Sequence, residues 1–100
     1  MAIEHLVCMK LSKALPEQEL QALYRECEAH FDKIPGVVSA SMGANFYAVS
    51  SQFTHALAIR FASRKAFEEF MTHPQHIAAS GRLQPLFSDF LILDYETERA

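Results

Sequence analysis

Thr54-His55-Ala56-Leu57-Ala58-Ile59-Arg60-Phe61 alternates small or polar residues with larger ones. His55, Leu57, Ile59 and Phe61 share one face, and Thr54, Ala56, Ala58 and Arg60 share the other, the period of two that belongs to a strand. Downstream, Ser63 is placed to cap a helix whose apolar stripe is Ala66, Phe67, Phe70 and Met71. Upstream lie a short polar loop, Ala48 to Gln52, and a second extended segment, Val37 to Tyr47. Gly43 inside that segment suggests a bulge or a close backbone approach.

Working further outward, Pro35-Gly36 closes a helix that begins at or near Pro16. Its stripe is Leu20, Leu23, Tyr24, Cys27, Phe31 and Ile34, and Glu17 and Glu19 suit the positive end of its dipole. Ile3 to Leu11 reads as a strand with Ile3, His5, Val7, Met9 and Leu11 on one face and Glu4, Leu6, Cys8 and Lys10 on the other. At the far end, Pro74 interrupts the second helix. A short helical piece over Gln75 to Ala79 is expected to stop at Gly81, with a last strand from Leu86 to Tyr95 and a tail from Glu96 to Ala100. Strand, helix, strand, strand, helix, strand predicts an α+β ferredoxin-like sandwich, with a four-stranded antiparallel sheet and helices on one face. Leu6, Cys8, Ala56 and Ala58 would then leave the other face half apolar, and a partner sheet is the simplest cover.

The chain of 100 residues fits a single domain over residues 1–100, its core at about 3–96. Its net charge is −3 and its basic residues are scattered, which argues against a nucleic-acid partner. There is no apolar run of membrane-spanning length and no signal-like N-terminus, so a cytoplasmic location is expected. Cys8 and Cys27 lack a CxxC spacing and read as small apolar fillers.

Several pieces occur in an ordered set: His5, Ile34-Pro35-Gly36-Val37, Gly43-Ala44-Asn45, Thr54-His55-Ala56-Leu57, Phe61-Ala62-Ser63, His73-Pro74-Gln75-His76 and Asp94-Tyr95. Together they resemble the stress-responsive A/B barrel (Dabb) family from His5 to Tyr95. The resemblance implies a homodimer, two sheets meeting face to face as a dimeric α/β barrel. It also implies a small apolar pocket in each subunit, able to take a small apolar ligand. One branch of the family cyclises linear polyketides; more distant relatives on the architecture degrade haem or oxidise quinol-like aromatics.

His5 and His55 fall on one apolar sheet face by alternation, and His76 follows the break at Pro74. Imidazoles around an apolar cavity suit proton transfer near neutral pH. The resemblance makes His76 the candidate general base and His5 and His55 its pocket companions. The expected lining is Val7, Leu23, Tyr24, Cys27, Ile59, Phe67, Phe70 and Leu91. The cyclase branch carries a tyrosine where Phe70 stands, so the phenol that would hold an enolate oxygen is missing here; Tyr24 is a distant substitute. His73 reads as structural and His30 as a solvated residue near a helix end. His73 and His76 are three apart, but Pro74 spoils the helical geometry a metal would need, so neither a metal nor another cofactor is expected. Two function classes stay open: a dimeric pocket protein that binds or slowly transforms a small aromatic or polyketide-like carbonyl compound, and a non-catalytic dimeric interaction domain. A haem or quinol-type monooxygenase relative is a further alternative.

Overall fold

A computed structural model describes residues 1–47 and 52–99. The elements are β1 (Ala2–Leu11), α1 (Glu17–Asp32), β2 (Val37–Ala44), β3 (His55–Phe61), α2 (Arg64–Met71), α3 (Pro74–Leu83) and β4 (Phe87–Thr97). The strands form one antiparallel sheet in the order β2-β3-β1-β4. This is the ferredoxin-like arrangement.

The two alternating segments become the central strands. Ile3, His5, Val7 and Met9 of β1 stand opposite Phe61, Ile59, Leu57 and His55 of β3, and all are buried beneath the helices. The stripe of α1 is likewise buried, from Leu20 to Phe31, with Ile34 just beyond its end. Pro16 is the N-cap of α1, and Glu17 and Glu19 occupy its first turn. Ser63 caps α2, its hydroxyl oxygen accepting from the amide of Ala66 at 3.1 Å. Gly36 makes the turn into β2 with φ +88°, and a Cβ there would run into the side chain of Ala66. Glycine is needed on both counts.

Several expectations are corrected. Pro74 separates α2 from the next helix, as expected, and stands at that helix's first position, but the helix does not stop at Gly81: it continues as α3 to Leu83, with Gly81 in helical conformation. His73 is its N-cap, the ring Nδ1 accepting from the Gln75 amide at 3.0 Å. Gly43 has open space where its Cβ would be, and the irregularity of β2 lies between Val37 and Ser39 instead. His30 is half-buried, and its Nδ1–H donates to Gln75 Oε1 at 2.6 Å, linking α1 to α3. β2 ends at Ala44, while β4 runs beyond Tyr95 to Thr97, taking in residues expected in the tail. Most of the loop expected from Ala48 to Gln52 lies outside the described residues.

One further correction, to the face of Leu91, shapes the site. Register between β1 and β4 shifts between Cys8 and Lys10, and Asp89 opposite that point has φ 55°. The extra residue reverses the parity of β4. Phe87 is buried on the helix side, and simple alternation would bring Leu91 there with it. Instead Ile92 pairs with Val7 and Asp94 with His5, facing the helices, while Leu91 pairs with Cys8 and faces outward. Leu6, Cys8, Leu91, Leu93 and Tyr95 therefore share the outer face with Ala56 and Ala58. Leu91, Leu93 and Tyr95 are about half exposed there.

Candidate functional site

A cavity of about 330 Å³ opens between the sheet and α2–α3, on the β4 side. Its floor is His5, Val7 and Leu57; Phe31, Phe70, Met71, His76 and Leu83 form its walls; Ser80, Gln84, Phe90 and Ile92 complete the lining. The size suits a small ligand, and the lining is mostly apolar.

His76 sits in the first turn of α3, where the ring can turn back to the end of α2. Its Nδ1–H donates to the carbonyl of Met71 at 3.2 Å, which leaves Nε2 as the lone-pair nitrogen. The ring lies over Phe70 at 4.2 Å between centroids. Burial pushes its pKa below the ordinary histidine value, against the raising effect of the Met71 carbonyl, and a positive charge on His5 would push it the same way. Both effects favour the neutral imidazole.

His5 is buried among Phe61, Phe67 and Phe70. Its Nδ1 is bonded to Asp94 Oδ1 in a short contact. With Nδ1 held by the carboxylate, Nε2 is the nitrogen left for a ligand. Asp94 was not legible as a partner. It closes the apolar run Phe90–Leu93, yet it reaches His5 only because the bulge turns it inward.

His55 does not join this pair. It stands opposite Met9, four residues along β1 from His5, which is roughly 13 Å at the rise of a strand. Its ring packs against Phe87 and Tyr24 at 5.3 and 6.0 Å, and its Nδ1 meets Thr54 Oγ1 at 2.9 Å. Nε2 is buried with no hydrogen-bond partner among the described residues. Burial lowers its pKa, with Glu17 opposing. Burial also pushes the pKa of Tyr24 up, reinforced by Glu17, so this phenol is harder to ionise.

Of the expected lining, the cavity brings together Val7 and Phe70 with His5 and His76. Leu23, Cys27 and Ile59 are packed into the core and do not reach it. Tyr24 belongs with His55, and Leu91 faces outward because of the bulge. Phe67 lies behind His5, beside a separate surface groove that also takes in Arg64 and Asp94. Ser80 and Gln84 carry no sequence signal as lining residues, because Gly81 signals a helix end and α3 runs through it. The Cys27 thiol is pushed up to about 11, first by burial, and stays protonated at neutral pH. Among the described residues, no three His, Cys, Asp or Glu side chains cluster as metal ligands would, and no helix is long and apolar enough to cross a membrane.

The model of the stress responsive A/B barrel domain matches residues 3–97. No curated protein matches the chain. Among solved structures, a Dabb family protein with a ferredoxin-like fold from Mesorhizobium loti is 23% identical, with 96% of each chain covered and a TM-score of 0.82. A dimeric ferredoxin-like protein of unknown function from Thermobifida fusca is 16% identical, with 97% of this chain and 92% of that one covered and a TM-score of 0.82. A hydroxynitrile lyase from Passiflora edulis is 19% identical, with 99% and 96% covered and a TM-score of 0.80.

Proposed function

Since the chain belongs to the stress responsive A/B barrel domain family, we propose that it is a homodimeric pocket protein that binds a small aromatic or polyketide-like carbonyl compound and slowly removes a proton beside its carbonyl. The observation that carries this reading is His76 at an open apolar cavity, its Nδ1–H tied to Met71 and its pKa lowered by burial. A neutral imidazole with its free lone pair at such a wall is what a general base requires. His76 Nε2 would take the α-proton. The enolate oxygen then needs a donor, and Phe70 has none to give. The His5–Asp94 pair fills that role when it carries an imidazolium, because Nε2–H can donate while Asp94 balances the charge at Nδ1.

The second subunit would cover the outer sheet face. Leu6, Ala58 and Leu93 lie side by side across it, with Cys8, Ala56 and Leu91 in the next row. A monomer would leave these rows in water. The dimeric neighbour from Thermobifida fusca supports the same assembly.

The direct test is exchange of α-protons of an aryl methyl ketone and a linear β-triketone, followed by NMR in deuterated buffer. The protein should speed exchange, and His76→Ala should slow it by about 10² or more with the dimer intact. Because the folded pKa of His76 lies below its ordinary value, His76 should already be in its base form at neutral pH, and the rate should fall on acidification as it takes up a proton. Exchange no faster than in buffer, or unchanged in His76→Ala, refutes the catalytic reading. A second reading, a non-catalytic dimeric interaction domain, is favoured by Phe70, whose ring packs against both His5 and His76 without offering a polar atom.

A further inference from the structure

An amphipathic helix normally turns its apolar residues inward, but part of α3 does the reverse. Ile77 is 61% exposed, whereas His76, Ser80 and Gln84 line the cavity. These three recur every four residues, so they form a ladder up one face of the helix and its C-cap. Apart from His5 on the floor, the polar side chains of an otherwise apolar cavity are thus supplied by a single element, with His76 at one end.

The hydrogen bonds within the ladder define what it can still offer. Gln84 Nε2 donates to Ser80 Oγ at 3.0 Å. That leaves the Ser80 hydroxyl proton as a donor and Gln84 Oε1 as an acceptor, neither with a partner among the described residues. A donor beside an acceptor matches a hydroxyl group, which accepts one bond and makes another. A carbonyl could use only the donor, and a methyl group neither.

We propose that Ser80 and Gln84 form a hydroxyl-recognition subsite of this cavity. It selects carbonyl compounds that carry an alcohol or phenol about 6 Å from the group held at His76, the rise of four residues along a helix. The inference rests on the carbonyl-pocket reading above and adds to it the second substituent. A para-hydroxyphenyl ketone spans a suitable length: its carbonyl sits at the His5–His76 end, its ring between Phe70 and Leu57, and its hydroxyl at the ladder.

The test is calorimetric titration of the intact protein with acetophenone and with 4-hydroxyacetophenone. The wild type should bind the hydroxylated ketone about 5- to 10-fold more tightly, the worth of one or two neutral hydrogen bonds. Ser80→Ala and Gln84→Leu should each bring the ratio of the two affinities, measured within the same variant, close to one. Gln84→Glu keeps an acceptor oxygen and should keep part of the preference. Equal binding of the two ketones by the wild type overturns the subsite but leaves the carbonyl pocket standing. So does a preference that survives in the Ser80→Ala, Gln84→Leu double variant. Failure of both ketones to bind the wild type overturns the pocket reading and this inference with it.

Discussion

Replacing His55 by leucine should make the fold less sensitive to acid. His55 is 5% exposed, and its Nε2 has no partner among the described residues. An unsatisfied buried polar atom costs about 1–3 kcal/mol. Leucine removes that cost and fills a similar volume between Phe87 and Tyr24. It also removes the bond between Nδ1 and Thr54 Oγ1, worth about 0.5–1.5 kcal/mol. Thr54 keeps its bond from the Leu11 amide at 2.7 Å. At pH 7.5 the variant should therefore lie between about 0.5 kcal/mol less and about 2.5 kcal/mol more stable.

The pH term adds to this with a defined sign. Burial holds the folded pKa of His55 below its ordinary 6.5. As pH falls through 6.5 the unfolded chain takes up a proton that the folded chain refuses, so stability is lost on acidification until the folded pKa is reached. Between pH 7.5 and 5.5 one such group costs at most about 1.4 kcal/mol, and the variant should be spared it. His76 has the same sign and remains in both proteins, so the comparison isolates His55. Urea denaturation of both proteins at the two pH values measures the difference directly. The reasoning fails if the variant loses as much stability as the wild type over this range, or is markedly weaker at both pH values.

Two further outcomes follow from the backbone and the outer face. Gly81→Ala should stabilise the protein by about 0.5–1 kcal/mol, seen as a rise in Tm, because Gly81 is helical and its Cβ would meet open space. Ala58→Glu places a charge in the middle of the outer face beside Leu6; light scattering should show loss of the dimer, while circular dichroism shows a retained fold.

The period of two in Ile3–Leu11 and Thr54–Phe61 and the stripe of α1 carry nearly all the information needed for the architecture. Burial enforces them, and burial is what a pattern of apolar residues encodes. The site was less legible because it depends on register. That His5 and His55 share a face follows from alternation; that they lie four residues apart along the sheet follows only from the pairing of His55 with Met9. The Asp94–His5 bond joins residues at opposite ends of the chain and hangs on the bulge at Asp89. A left-handed aspartate is tolerable because its short polar side chain can bond locally, but nothing in the surrounding apolar run marks the position. Ser80 and Gln84 were hidden by a glycine that reads as a stop and that α3 passes through.

The bulge gives Phe90-Leu91-Ile92-Leu93 a division of labour. Even positions face the cavity and odd positions the outer sheet surface, although all four residues are similarly hydrophobic. Drift at 90 and 92 can therefore retune which compounds fit without disturbing how copies associate, and drift at 91 and 93 can do the converse. Loss of one residue at 89 would exchange the two sets in a single step, converting pocket wall into docking surface. Diversification of ligand preference in such a chain should run through substitution along this strand and avoid changes in its length.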